Sequence, residues 1–206
     1  MLIESSRPAP GIALLTLNRH DKRNALNVEV CEELAAIIEA LLNDGSSSDP
    51  TKAIVITGAG TAFSAGADLS DGDPVAIYES FARVVELIRT APISVIAHVN
   101  GPAIGAGALL SVACDIRVVD PSARFMIPVA KMGVHVDRDF AETLAELVGG
   151  ARARAMLLAG MPLSAATAVE CGFAAVAGDV GTALELAQVC ATGDPGTVAS
   201  IKAAFA

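Results

Sequence analysis

"NGPAIGAGALLSVACD", residues 100–115, carries glycines at 101, 105 and 107, followed by an apolar run that ends at Asp115. Three devices share this look: a phosphate cradle, a membrane segment, and a turn feeding a strand into a buried helix. Residues 91–114 contain no Asp, Glu, Lys or Arg, and that length suffices to cross a bilayer. Pro92, His98, Asn100, Gly101 and Pro102 interrupt the stretch, so strand, glycine turn and buried helix account for it better. A dinucleotide fingerprint needs Gly-x-Gly-x-x-Gly, but Leu110 follows Gly105/Gly107 at the third place and Phe63 follows Gly58/Gly60. A P-loop ends in Gly-Lys-Ser/Thr, and no lysine lies between Lys52 and Lys131.

Working outward, residues 11–18, 53–58 and 93–101 read as buried strands, each stopping at Gly or Asn. Asn27 is placed to cap a helix in which Val30, Leu34, Ile37, Ile38 and Leu41 recur at helical spacing. Residues 76–90 put Ile77, Phe81, Val84, Val85 and Ile88 on one helical face. Two further strands are expected at 116–120 and 123–128, and helical patterns dominate from Asp139 onward. The expectation is a single α/β domain, with a core over 1–150 and a mostly helical part over 151–206. Residues 43–51 read as a loop inside that domain, and no repeat of fixed period is found.

The composition, 53% hydrophobic and 18% charged, is too apolar for a disordered chain. A formal net charge of -9 argues against nucleic acid or an acidic membrane surface as partner, because phosphate-rich surfaces require a positive field. Cys31, Cys114, Cys171 and Cys190 form no CxxC pair and no metal-ligand spacing with His20, His98 or His135. Reduced thiols in a cytoplasmic protein are expected, with no metal. The first residues place acid and proline where a signal peptide needs an apolar core.

The glycine-bearing loops at 58–69 and 100–110 both follow strands. Small residues let a ligand approach the main chain, so two such loops can aim backbone N–H groups at one carbonyl oxygen. A helix starting near Gly107 would add its positive dipole end. Tight packing alone explains glycine turns equally well.

Three motifs, "DKRNALN" (21–27), "TAFSAGADLS" (61–70) and "NGPAIGAGALLSVACDIRV" (100–118), stand in the order and spacing of the crotonase family, also called enoyl-CoA hydratase/isomerase. Residues 150–176 also resemble that family, and the likeness covers about 11–176. It implies an α/β superhelix of ββα units, trimers or hexamers (dimers of trimers), and acyl-CoA thioesters as substrates, coenzyme A arriving with the substrate rather than as a bound cofactor. It implies an enolate stabilised by the N–H groups of Ala67 and Ala106. It places Lys22 or Arg23, with Ala25 and Leu26, along the CoA phosphates and pantetheine, and Ala65, Asp68 and Leu69 around the adenine. Read without the resemblance, Lys22 and Arg23 are a solvated charge pair.

The sequence departs from the pattern at two positions. Where the family's hydratases carry two glutamates that handle water and its proton, this chain has Leu109 and Val129. Neither transfers a proton, so isomerisation or another enolate reaction is favoured over hydration. Asp137 falls where isomerases and dehalogenases of the family place a working aspartate; in an apolar cleft its pKa would rise. Alternatively, residues 137–139 form a solvated turn in which Asp139 caps the next helix. His135 reads as a packing residue and Asp115 as a structural one. The family usually continues some way beyond the point matching residues 197–206, in helices that close the acyl site and make subunit contacts. A non-catalytic acyl-CoA carrier and a ligand-free structural subunit are the competing functions.

Overall fold

The computed structural model describes residues 1–45, 48–70 and 73–205. Strands β1 (Ile3–Ala9) and β2 (Ile12–Leu17) form a hairpin; a short 3-10 turn at His20–Lys22 leads to α1 (Val28–Leu42) and β3 (Ala53–Gly58). Helix α2 (Pro74–Thr90), β4 (Ser94–Val99), β5 (Pro102–Ile104), α3 (Ala106–Ala113), β6 (Ile116–Val119) and β7 (Arg124–Met126) follow. The remainder is α4 (Val129–Met132), α5 (Arg138–Val148), α6 (Gly150–Ala159), β8 (Leu163–Ser164), α7 (Ala165–Glu170), β9 (Val176–Ala177), α8 (Val180–Ala191) and α9 (Pro195–Ala203).

The main sheet has the order β1-β2-β3-β4-β6-β9, with β1 antiparallel to β2 and every other pair parallel. All six residues of β3 are buried because helices cover both faces of the parallel strands. On one face Ile54, Ile56, Val95 and Ala97 pack with Leu34, Ile38, Val84 and Ile88 of α1 and α2. On the other, Ile12, Val55, Ile96 and Val118 meet Ala183 and Ala187, whose small side chains let α8 lie close to the sheet. A second sheet, β5-β7-β8, stands beside the first. The stretch at 91–114 thus becomes a buried strand, a glycine turn with a three-residue strand, and a helix, as its interruptions predicted.

The capping expectations are met in part. Asn27 Oδ1 accepts the Val30 N–H at 3.0 Å. Helix α2 begins two residues earlier than its apolar face suggested, since Asp73 caps it and Pro74 suits the first turn. The solvated turn before α5 is present, but Asp137 is the cap, its Oδ1 accepting the Phe140 N–H at 2.7 Å, and Asp139 lies in the first helical turn. The strand β1 had no hydrophobic signal because, at the sheet edge, only Ile3 is fully buried. Ser46 and Ser47 of the 43–51 loop, and Ala206, lie outside the described residues.

The C-terminal helix is anchored by a buried cation. Lys202, 8% exposed, donates to Ile88 O at 3.0 Å and Asp115 Oδ2 at 2.7 Å, and the same Oδ2 accepts the Val95 N–H at 2.7 Å. Asp115 is therefore structural, joining α2, β4 and α9. Asp115 is exposed and stays solvated when its partner is removed, so Lys202→Met is expected to lose the two hydrogen bonds of Lys202, about 1–2 kcal/mol, measured as a lower urea midpoint.

Candidate active site

Three segments run side by side at one end of the sheet. Ala65 N donates to Arg23 O at 2.9 Å, Leu26 N to Gly66 O at 2.8 Å, and Asp68 N to Leu26 O at 2.8 Å, so residues 23–26 pair in parallel with 65–68. On the other flank Ser64 N donates to Pro102 O at 3.2 Å and Ile104 N to Ser64 O at 2.9 Å. Arg23 and Asn24 adopt left-handed φ values of 51° and 57° to make the turn. Asn24 holds that turn from inside: its buried Nδ2 donates to Ala59 O at 2.9 Å and Ala62 O at 2.8 Å, and its Oδ1 accepts the Arg19 N–H at 3.0 Å. Sequence reading gave Asn24 no role; an asparagine in a polar turn ahead of an apolar segment is the available signal.

This pairing decides which N–H groups are left over. In the parallel bridge between Leu26 and Ala67, the bonds run from Leu26 to Gly66 and from Asp68 to Leu26, so the peptide N–H of Ala67 points away from its partner segment. It meets no acceptor among the described residues. Neither does the N–H of Ala106, which as the first residue of α3 has no carbonyl one turn earlier in the helix to bond. Gly105 at φ 52° turns the chain into that helix, and its own N–H goes to Met126 O at 2.8 Å.

Two glycines bring these donors together. A Cβ on Gly66, at φ +91°, would stand 2.5 Å from Ile104 O and 3.5 Å from Ala106 N. A Cβ on Gly107 would stand 2.5 Å from Ser64 O and 2.7 Å from Ser64 Cβ. Only glycine allows this approach, which sets the residue before Ala67 against the residue before α3. Ala67, Ala106, Leu109 and Val129 are all half-buried, as residues lining a cleft would be. Leu109 lies one turn beyond Ala106 on the same face, and Val129 follows three residues after Met126.

The proposed CoA-side residues divide into two kinds. Lys22, Arg23 and Leu69 are exposed, while Ala25, Leu26 and Asp68 are buried and Ala65 is half-buried. Asp68 already has partners: Oδ1 accepts from Ser70 Oγ at 2.5 Å and Oδ2 from Arg19 Nη1 at 2.6 Å. Hydrogen bonds from Ser70 and then Arg19 hold its carboxyl below the usual carboxylate range. A depressed folded pKa gives stability that is fully present above the unfolded value, about 3.9, and is lost as pH falls through the folded value. Wild type is therefore expected to lose thermal stability more steeply below about pH 4 than Asp68→Asn, measured as melting midpoint against pH.

Asp137 and His135 are corrected in their surroundings. Both are exposed on this chain, so Asp137 does not sit in an apolar cleft and His135 is not a packing residue. Asp137 uses one oxygen as a helix cap, and Oδ2 accepts no hydrogen bond among the described residues. Two of the cysteines are poor nucleophiles: burial pushes the Cys31 thiol up to about 11 and Cys114 to about 12. All four are free, and the described residues contain no cluster of three His, Cys, Asp or Glu side chains able to hold a metal. No described helix is long and apolar enough to cross a membrane.

A mixed α/β frame in which two glycine loops present unpaired N–H groups is the frame of a thioester enzyme of the crotonase type. The sequence profile of the enoyl-CoA hydratase/isomerase family matches residues 7–206, and the chain belongs to that family. A probable enoyl-CoA hydratase of Mycobacterium leprae is 43% identical over 169 residues, spanning 81% of this chain and 67% of the relative. The 1,2-epoxyphenylacetyl-CoA isomerase of Escherichia coli is 34% identical, over 79% of this chain and 64% of its own. Among solved structures, an enoyl-CoA hydratase from Bacillus anthracis superposes at TM-score 0.87 with 28% identity, covering 100% of this chain and 82% of that one. A monofunctional enoyl-CoA isomerase from Mycobacterium smegmatis superposes at 0.84 with 27% identity, covering 99% and 91%. The fold class expected from the sequence is thereby shown, and the protein is an enzyme of this family.

Proposed function

We propose that the enzyme isomerises an enoyl-CoA thioester through an enolate held by the N–H groups of Ala67 and Ala106. The observation that carries this reading is the pair of unpaired N–H groups on loops that touch at Gly66. A thioester oxygen placed between them accepts both bonds, and they strengthen as negative charge develops there. Asp137 takes a proton from Cα, the electron pair passes onto the thioester oxygen, and the same carboxyl returns the proton at Cγ. Its unbonded Oδ2 is the atom that takes the proton.

Lys22 and Arg23 supply the exposed positive charge for the CoA phosphates, which the net charge of -9 denies the surface as a whole. Residues 25–26, 65 and 68–69 shape the adenine and pantetheine groove, with Asp68 acting through its bonds to Arg19 and Ser70. Leu109 and Val129 give the acyl pocket an apolar wall. Coenzyme A belongs to the substrate, and no resident cofactor is required. Homotrimers or hexamers fit the exposed Met132, Val134 and Val136, which a neighbouring copy would cover beside Asp137. Four free thiols fit the cytoplasm.

The test is Asp137→Asn assayed on conversion of a 3-enoyl-CoA to its 2-enoyl isomer. Loss of a general acid–base group is expected to lower kcat by about 10²–10⁴-fold with substrate affinity retained. Full turnover on every accepted thioester would remove Asp137 from the mechanism.

A further inference from the structure

We infer that Arg117 is a positioning residue for the Ala106 oxyanion donor, fixing from behind the helix whose first N–H faces the thioester. This rests on the enolate-stabilising reading above. Arg117 lies on β6 and is only 8% exposed. Its Nη1 donates to Ser111 O at 3.2 Å and Cys114 O at 2.8 Å, and its Nε to Phe173 O at 2.5 Å. Ser111 is in the last turn of α3 and Cys114 is its C-cap. The final carbonyls of a helix have no partners within it, and a cation there opposes the negative end of the dipole. One guanidinium therefore satisfies the end of α3 opposite to Ala106.

A second route leads from the same side chain to the other support of Ala106. The guanidinium carbon lies 5.0 Å from the centroid of the Phe173 ring. That ring meets Phe125 edge-on, with centroids 4.8 Å apart at 76°. Phe125 is the middle residue of β7, and its neighbour Met126 accepts the N–H of Gly105, the residue that precedes Ala106. Arg117 thus touches the C-terminal end of α3 directly, and its N-terminal end through two packed rings and a strand.

The geometry makes the N–H sensitive to this anchorage. At a rise of about 1.5 Å per residue, α3 is roughly 10 Å long, so a tilt of about 6° moves the Ala106 N–H by about 1 Å. A misplacement of that size costs about 10²-fold in rate. An apolar side chain at 117 would leave three buried carbonyls without a donor, and α3 would shift to find others.

The experiment reads the polarisation of a bound carbonyl apart from turnover. 4-(Dimethylamino)cinnamoyl-CoA absorbs further to the red when its thioester carbonyl is polarised. Wild type is expected to bind it with a red shift. Arg117→Met is expected to bind it within about threefold of wild type, to lose most of the red shift, and to show kcat about 10²-fold lower with KM near wild type. Arg117→Lys, which keeps the charge but loses the fork, is expected to recover part of both. A folded Arg117→Met with the wild-type shift and kcat overturns the inference. If that variant does not fold, Arg117→Lys decides, because it keeps a cation there but cannot bond all three carbonyls at once. A reduced shift at unchanged affinity supports the inference, and a wild-type shift overturns it. Wild type that binds the probe with no red shift sinks the oxyanion-hole reading itself, and the role of Arg117 with it.

Discussion

Ala106→Pro is expected to fold like wild type, bind acyl-CoA, and lose about 10²–10³-fold in kcat. Proline is at home at the first helical position, where its fixed φ suits the helix and its missing N–H was unpaired within the helix in any case. Ala106 occupies that position in α3, and its N–H has no protein acceptor among the described residues. The substitution therefore replaces the Ala106 N–H by a ring CH2 that points where the hydrogen pointed, removing the donor and narrowing the space for the thioester oxygen while leaving the helix intact. Deleting an oxyanion-hole donor costs about 2.7–4 kcal/mol of transition-state stabilisation, and the loss in kcat should be at least that large. Circular dichroism and melting near wild-type values, with kcat measured on the isomerisation, make the comparison. Unchanged kcat in the folded variant would exclude the Ala106 N–H from the reaction.

The second large effect is a gain. Wild type is expected not to hydrate crotonyl-CoA, and Leu109→Glu combined with Val129→Glu is expected to hydrate it at least about 10²-fold above the wild-type background. Leu109 stands one turn beyond Ala106 and Val129 just beyond the strand that holds Gly105, and in the proposed function both line the acyl pocket, where the two replacement carboxyls would face the substrate. There one carboxylate can activate water and the other deliver the proton to Cα. Burial of two carboxyls costs stability, about 1–3 kcal/mol each if they find no partner, and raises their pKa towards the range useful for proton transfer. Efficient hydration by wild type would show that other groups supply the acid and base, and would overturn the reading of these two positions.

The sequence showed most of the frame and only part of the site, for separable reasons. Buried parallel strands such as β3 are apolar at every residue, so they were plain; β1 was not, because an exposed edge has no apolar face to display. Asn27 could be read as a cap from its place before an apolar period, whereas the cap of α5 was expected at Asp139 and the backbone path puts it at Asp137. An apolar cleft around Asp137 followed only from the family likeness, and on this chain the neighbouring Val134 and Val136 are exposed. Arg117 passed unnoticed inside "IRVV", although a guanidinium in an otherwise apolar strand is a cue that several carbonyls await it.

In the proposed function, placing both donors on the main chain has an evolutionary side. The parallel bridge that turns the Ala67 N–H outward is indifferent to what side chain residue 67 carries, so a substitution survey would score positions 67 and 106 as permissive. The same survey would score Gly66 and Gly107 as intolerant, although in that proposal neither is a donor, because a Cβ at either would collide with backbone. Within such a scaffold acid and base side chains can be exchanged, lost or regained without dismantling the polarising centre, so divergent chemistries can descend from one inherited backbone.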